Sequence, residues 1–274
     1  MSNRMDLLAL GGLAVTCTIT LADAYMTPPI ESTTPPPSKS ALLSIPQLKQ
    51  LDRKGFVQIP NAFSRNSILE ARAAAIDLYK STSFSNQNSP SVRQDTTTFI
   101  SDISSTPVAL RSIIRAMRSV ASELDSADST DFSRTISHRV PLHLQLAVYD
   151  GERKEYRAHR DNPVLGSRLQ DVGLLHYLRS KPYRARGITC IVYLNSEDWN
   201  VEESGGGLEV FLGADEQDDV GETSKHPAIV SPVGGTMVLF DSRVVLHRVM
   251  PMLCTGERRI ALTLWIEGEP RSTA

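Results

Sequence analysis

The apolar positions of this chain change period once. Leu110, Ile113, Ile114, Met117, Val120, Ala121 and Leu124 hold helical spacing over four turns, which predicts an amphipathic helix. It opens at Thr106-Pro107, a cap residue followed by proline at the first helical position. Upstream, Ser67-Ile68-Leu69-Glu70 reads as a capping box that starts a helix running to about Lys80, with Leu69, Ala73 and Ile76 on one face. Both stripes are expected to be packing surfaces. From residue 140 the period falls to two. Leu142, Leu144, Leu146 and Val148 alternate with His143, Gln145, Ala147 and Tyr149, a half-buried strand with a polar inner row. Further strands are expected at Ile188 to Leu194, Leu208 to Phe211, Thr236 to Phe240 and Ile260 to Ile266, separated by Gly-, Pro- and Asp-containing turns. Many short strands behind a helical start predict an α+β chain, a barrel or jelly roll with helices packed outside it.

The N-terminus follows a different pattern. Arg4 precedes a 15-residue run without charge, Leu7 to Leu21, and Ala22-Asp23-Ala24 follows it. The run is shorter than the ~20 residues a membrane-spanning helix needs. It fits a signal peptide over residues 1–24, which leaves no stable membrane span in the mature chain. Residues 25–44, rich in Pro, Ser and Thr, read as a linker. Residues 45–138 form the helical part and 139–268 the jelly-roll part. The expected destination is the secretory pathway, either the ER lumen or the exterior. A bipartite signal would send the chain to a plastid, and without a working signal it would remain in the cytoplasm or nucleus.

Composition excludes more than it identifies. The 274 residues carry 29 Lys+Arg and 31 Asp+Glu, a net charge of −2, with 41% hydrophobic residues. That is globular composition, without the basic excess of a nucleic-acid binder. Cys17, Cys190 and Cys254 are too few for a disulfide framework and lack zinc-site spacing. Cys190 falls in a predicted strand and is expected to be inert, while a bridge to Cys254 stays open.

Of the six histidines, His159 stands two residues before Asp161, and His247 ends a later strand-like segment. In extended backbone an H-x-D pair points both side chains to one face. A third histidine from a neighbouring strand would complete the two-imidazole, one-carboxylate set that leaves three adjacent positions open on Fe(II). A zinc hydrolase can use the same ligands. Arg259 begins a strand whose alternation places Arg259, Ala261, Thr263 and Trp265 on one face. Its planar fork suits a buried carboxylate, and Tyr149 and Tyr193 can add hydroxyl donors. Arg258 competes for that role but points to the opposite face from Thr263. His143 and Gln145 are candidates to line the same pocket, and His138, His176 and His226 are expected at surfaces or loops. Gly205-Gly206-Gly207 lacks the Lys-Ser/Thr of a phosphate loop and reads as a strand entry with close backbone approach. The nine Lys/Arg against four Asp/Glu between Gly151 and Gly187 are read first as solvated charge, with docking of an acidic or extended peptide as the alternative.

On these residues the chain resembles the iron(II)- and 2-oxoglutarate-dependent dioxygenases of the prolyl 4-hydroxylase group. It looks closest to the branch of the hypoxia-inducible-factor prolyl hydroxylases. The resemblance rests on Tyr149, on His159-Arg160-Asp161-Asn162-Pro163 and on Ile188 through Asn195. It continues in Asp198-Trp199, Ser204 through Leu208, His247 through Pro251 and the Arg259 strand. Arg93-Gln94-Asp95 before Phe99-Ile100 is similar to a segment of the same branch. The resemblance implies a double-stranded β-helix with N-terminal helices against it. It implies that His159, Asp161 and His247 bind iron and are the catalytic centre. Arg259, with Tyr193 and Thr263, would hold the distal carboxylate of 2-oxoglutarate, with Tyr149 near its metal-binding end. Leu208, Val249 and Trp265 would wall the pocket, and Arg186 and Asn162 would lie near a peptide substrate. The implied reaction consumes O2 and 2-oxoglutarate, releases succinate and CO2 and hydroxylates proline in a peptide or protein, with L-ascorbate maintaining the iron. Alternatives are the same chemistry on a free amino acid or small metabolite, and a non-catalytic jelly-roll binding protein. The chain departs from the branch in a long segment from Val164 to Arg186, a polar insertion from about Gly213 to Pro227, and three extra residues between His247 and Arg259.

Overall fold

A computed structural model describes residues 41–81, 85–86, 91–133, 144–162, 185–212 and 227–268. The chain divides between Lys39 and Ser40, and every described residue lies in the second unit. The expected signal segment, most of the Pro-rich linker, Cys17, His138, Leu142, His143, His176 and His226 lie outside the described residues. So do most of the long segment after Val164 and most of the polar insertion after Gly213. Among the described residues, no helix is long and apolar enough to cross a membrane.

Two facing antiparallel sheets make up the core. Strands β1 (Phe56–Ile59), β2 (Ser85–Asn86), β3 (Thr96–Ile100), β4 (Leu144–Asp150), β6 (Arg186–Tyr193), β9 (Met237–Asp241) and β11 (Arg258–Glu267) form the larger sheet, in the order β1-β9-β6-β11-β4-β3-β2. Strands β5 (Tyr156–His159), β7 (Leu208–Phe211), β8 (Ala228–Val230) and β10 (Leu246–Val249) form the smaller one, in the order β5-β10-β7-β8. This is the jelly roll that the period-two segments predict. The part read as helical, 45–138, also contributes β1, β2 and β3 to the larger sheet, β1 pairing with β9, β2 with β3 and β3 with β4. Those segments are too short for periodicity alone to distinguish strand from loop.

Alternation along the large sheet divides the protein into two apolar layers. On β11, Ile260, Leu262, Leu264 and Ile266 face the helices, while Ala261 faces the small sheet. The same split puts Leu144, Leu146 and Val148 of β4 outward and Ala147 and Tyr149 inward. Helices α1 (Ile45–Lys54), α2 (Arg65–Ser81) and α3 (Val108–Ser126) cover the outward face. In α1, Gln47 accepts the backbone N–H of Ser44 at 2.8 Å. Gly55 ends that helix at φ 70, returning its N–H to Leu51, a left-handed conformation that favours glycine.

All seven residues of the predicted α3 stripe are buried, although Pro107 rather than Thr106 occupies the cap position. The α2 reading needs correction. The helix begins at Arg65, and the Ser64 hydroxyl accepts the Ser67 N–H at 3.3 Å, so the start lies before the predicted box. Its buried face is Ile68, Ala71 and Ala75, whereas Leu69 is 49% exposed and Ala73 is exposed too. Ile114, with no exposed surface, sits where α3 meets the sheet. Ile114→Ala is expected to lower stability by about 2–5 kcal/mol through the cavity it leaves. The check is a denaturant midpoint that falls while the slope is unchanged.

Candidate active site

The inward layer ends in a polar pocket between the sheets. His159 closes β5 and His247 lies on β10, and the antiparallel register sets them directly opposite each other. Their ring centroids are 4.3 Å apart. Asp161 stands in the bend just after β5 rather than in the strand itself, with Oδ1 3.4 Å from His159 Nε2 and Oδ2 4.0 Å from His247 Nε2. One ligand atom from each of the three falls within 4.8 Å of the others. The Nδ1 atom of each histidine meets the backbone carbonyl two residues earlier, Arg157 at 2.8 Å and Val245 at 3.2 Å. Donation of Nδ1–H to these carbonyls assigns the tautomer that leaves Nε2 free as a ligand. Burial and the neighbouring His159 push His247 down to about 4, so its imidazole is neutral. Burial works against the Asp161 carboxylate, but the neighbouring His159 and His247 rings and the Arg186 guanidinium hold it well below the usual range. Two imidazoles and one carboxylate on one face form the donor set of a facial Fe(II) site.

Among the described residues, the cation at Arg259 has no acidic partner. Arg259 is 2% exposed. It donates Nε to the Gly206 carbonyl at 2.7 Å and lies 5.0 and 5.1 Å from the Tyr149 and Tyr193 rings. Gly206 has φ +69, and a Cβ there would stand 3.0 Å from Arg259 Cδ. The glycine run is therefore a close backbone approach that cradles this arginine. Beyond the neighbouring Arg259, the buried Tyr193 hydroxyl has no hydrogen-bond partner among the described residues, and burial keeps the Tyr149 phenol protonated. Thr263, Leu208, Val249 and Trp265 line the same pocket. An unpaired buried cation beside an unsatisfied hydroxyl is costly unless an anion fills the gap. A small dicarboxylate reaching from the triad to Arg259 satisfies both. Arg258 points the other way, donating to Asp150 Oδ2 at 2.9 Å with its side chain 34% exposed.

Arg186 and Asn162 are differently placed. Arg186 lies over the Trp265 ring at 3.8 Å and donates to the Asp161 carbonyl at 3.3 Å. Asn162 is 2% exposed and donates its side-chain amide to the Arg186 carbonyl at 2.9 Å, so it braces the chain behind the triad. Cys190 and Cys254 are both free. They belong to different apolar layers, and burial pushes the Cys190 thiol up to about 12.

Three groups escaped the reading of the sequence. Tyr156 stacks on His159, with centroids 3.7 Å apart. Arg93 lies over Tyr156 at 4.7 Å and bonds bidentately to the buried Asp95, while also reaching Gln145 Oε1 at 2.6 Å. Thr189 donates to Asp161 Oδ2 at 2.7 Å. No spacing rule finds them, because Arg93 and Thr189 reach the site from distant strands or loops. Their trace in the sequence is the similarity of the Arg93-Gln94-Asp95 segment and of the Ile188 to Asn195 segment that contains Thr189.

Residues 144–267 match the 2OG-Fe(II) oxygenase superfamily. Over 137 residues the chain is 30% identical to a hypoxia-inducible factor prolyl hydroxylase of Caenorhabditis elegans, a stretch that covers 49% of this chain and 15% of that protein. A Trichoplax adhaerens prolyl hydroxylase, solved with a hypoxia-inducible factor oxygen degradation domain peptide fragment, superposes with a TM-score of 0.62 at 22% identity, over 81% of this chain and 87% of that one. A Pseudomonas putida prolyl-4-hydroxylase gives a TM-score of 0.60 at 20% identity, over 82% of this chain and 98% of that one. These two structures share the fold. The family match, the jelly roll and the His159/Asp161/His247 face agree: residues 144–267 match the 2OG-Fe(II) oxygenase superfamily and bring together the metal-ligand set expected of it.

Proposed function

We propose that this protein is an Fe(II)- and 2-oxoglutarate-dependent dioxygenase that hydroxylates proline residues in a peptide or protein. The observation that supports the cosubstrate is Arg259, a buried cation without an acidic partner among the described residues, facing the same pocket as the triad. The similarity to prolyl hydroxylases supports proline as the substrate. His159, Asp161 and His247 would hold Fe(II), and Arg259 with Tyr193 and Thr263 would hold the distal carboxylate of 2-oxoglutarate. Iron and 2-oxoglutarate together supply O2 activation, in which the cosubstrate is oxidatively decarboxylated to succinate and CO2 while a substrate C–H bond becomes C–OH. The protein's own residues fix geometry. The two Nδ1–carbonyl bonds aim the imidazoles, the triad would leave three positions open on a bound Fe(II), and Leu208, Val249 and Trp265 would wall the pocket beside it. L-Ascorbate is proposed to sustain turnover by returning oxidised iron to Fe(II), and the N-terminal run is proposed to direct the chain into the secretory pathway.

The test is incubation of the full chain with Fe(II), 2-oxoglutarate, ascorbate, O2 and a panel of proline-containing peptides. The expected result is peptide-stimulated succinate together with one added oxygen on proline. Succinate stimulated only by free amino acids or metabolites would overturn the proline reading and keep the dioxygenase. The cradle makes a further prediction. Gly206→Ala forces a side chain into a left-handed position against Arg259 Cδ, which is expected to cost about 1 kcal/mol or more of stability and to raise the KM for 2-oxoglutarate. Thermal unfolding and cosubstrate titration check the two effects separately.

A further inference from the structure

The Asp161 carboxylate is gripped from behind by two hydroxyls. Thr189 on β6 and Ser242, just after β9, are both fully buried. The Thr189 hydroxyl donates to Asp161 Oδ2 at 2.7 Å, and the Ser242 hydroxyl lies 2.8 Å from the same Thr189 oxygen. An ionised carboxylate only accepts, and each hydroxyl has a single proton. The direction of the relay is therefore fixed: Ser242 donates to Thr189, and Thr189 donates to Asp161. The backbone holds the same frame. Asn162 N–H donates to the Ser242 carbonyl at 2.8 Å, and Ser242 N–H to the Gly187 carbonyl at 3.0 Å. The two Asp161 oxygens thus differ. Oδ2 is engaged by Thr189, while Oδ1 is the one nearer His159 Nε2, at 3.4 Å.

We propose that Thr189 and Ser242 are positioning residues that commit Asp161 to the metal through Oδ1 alone. A carboxylate with both oxygens free can chelate a divalent ion. Chelation by Asp161 would consume one of the three positions that the facial set leaves open. With Oδ2 occupied by a hydroxyl, those three positions stay available for a chelating 2-oxo acid and O2. The inference rests on the Fe(II)/2-oxoglutarate reading, and neither hydroxyl touches the substrate.

Co(II) binding to the full chain tests the relay without turnover, comparing wild type with Thr189→Val, Thr189→Ser and Ser242→Ala. Valine keeps the shape of threonine and removes only the donor. Thr189→Val is expected to weaken Co(II) binding by about 10–100-fold, the range for losing an outer-shell partner. It should also change the visible spectrum of the bound Co(II) and weaken 2-oxoglutarate binding to the loaded protein. Thr189→Ser restores all three readouts, and Ser242→Ala shifts them less and in the same direction. Wild-type affinities and spectrum in Thr189→Val overturn the relay. Should that variant fail to fold, wild-type behaviour of Ser242→Ala overturns it instead. A wild-type protein that binds no Co(II) overturns the metal reading itself, which separates the two failures.

Discussion

His247→Ala is expected to abolish succinate formation. The variant keeps His159 and Asp161, which sit together at the end of β5, but loses the ligand that β10 supplies from the opposite register position. Two ligands from one strand end cannot define a face on the metal, so the loss should far exceed the roughly 10–100-fold cost of an outer-shell change. His247 also packs against Phe240, with ring centroids 4.5 Å apart, so a circular-dichroism melt must accompany the assay. A folded variant with no iron-dependent succinate is the expected result. Retained iron-dependent turnover would sink the triad.

Arg259→Gln is the second large effect, and it should appear in a different parameter. The residue is 2% exposed, so a carboxylate bound to it is desolvated, and removing one partner of a buried pair costs about 3–5 kcal/mol. At tenfold per 1.4 kcal/mol, the KM for 2-oxoglutarate is expected to rise by at least about 100-fold, while iron binding is unchanged. Arg258→Gln provides the control one position away. Arg258 pairs with Asp150 on the opposite face, with its side chain 34% exposed, where ion pairs contribute little. Its KM should remain near that of the wild type. Equal effects at the two positions would contradict the assignment of the cation by strand alternation.

The contrast between these arginines shows what was legible in the sequence. Period-two alternation is a local geometric rule, and it correctly separated Arg259, Ala261 and Thr263 from Arg258, Ile260 and Leu262. It also put Gln145 and Tyr149 of β4 on the pocket side. The α3 stripe was equally readable, because seven apolar positions over four turns leave a single solution. The α2 face was not, since four of its residues are alanines, which mark a face weakly, and its cap lies three residues before the predicted one. Long-range polar contacts were beyond any periodicity. The Thr189–Ser242 bond joins residues 53 apart, and the Arg93–Gln145 bond joins residues 52 apart. Likewise, the Asn162 amide reaches the Arg186 carbonyl, 24 residues away.

The most direct test of the account is the fate of isotopically labelled O2. Full-length protein is incubated with Fe(II), 2-oxoglutarate and a proline-containing peptide that stimulates turnover, and both products are weighed. The account predicts one labelled atom in succinate and the other in the hydroxyl of the modified proline. Peptide hydroxylated with oxygen from water, or peptide modified without any labelled succinate, would contradict it.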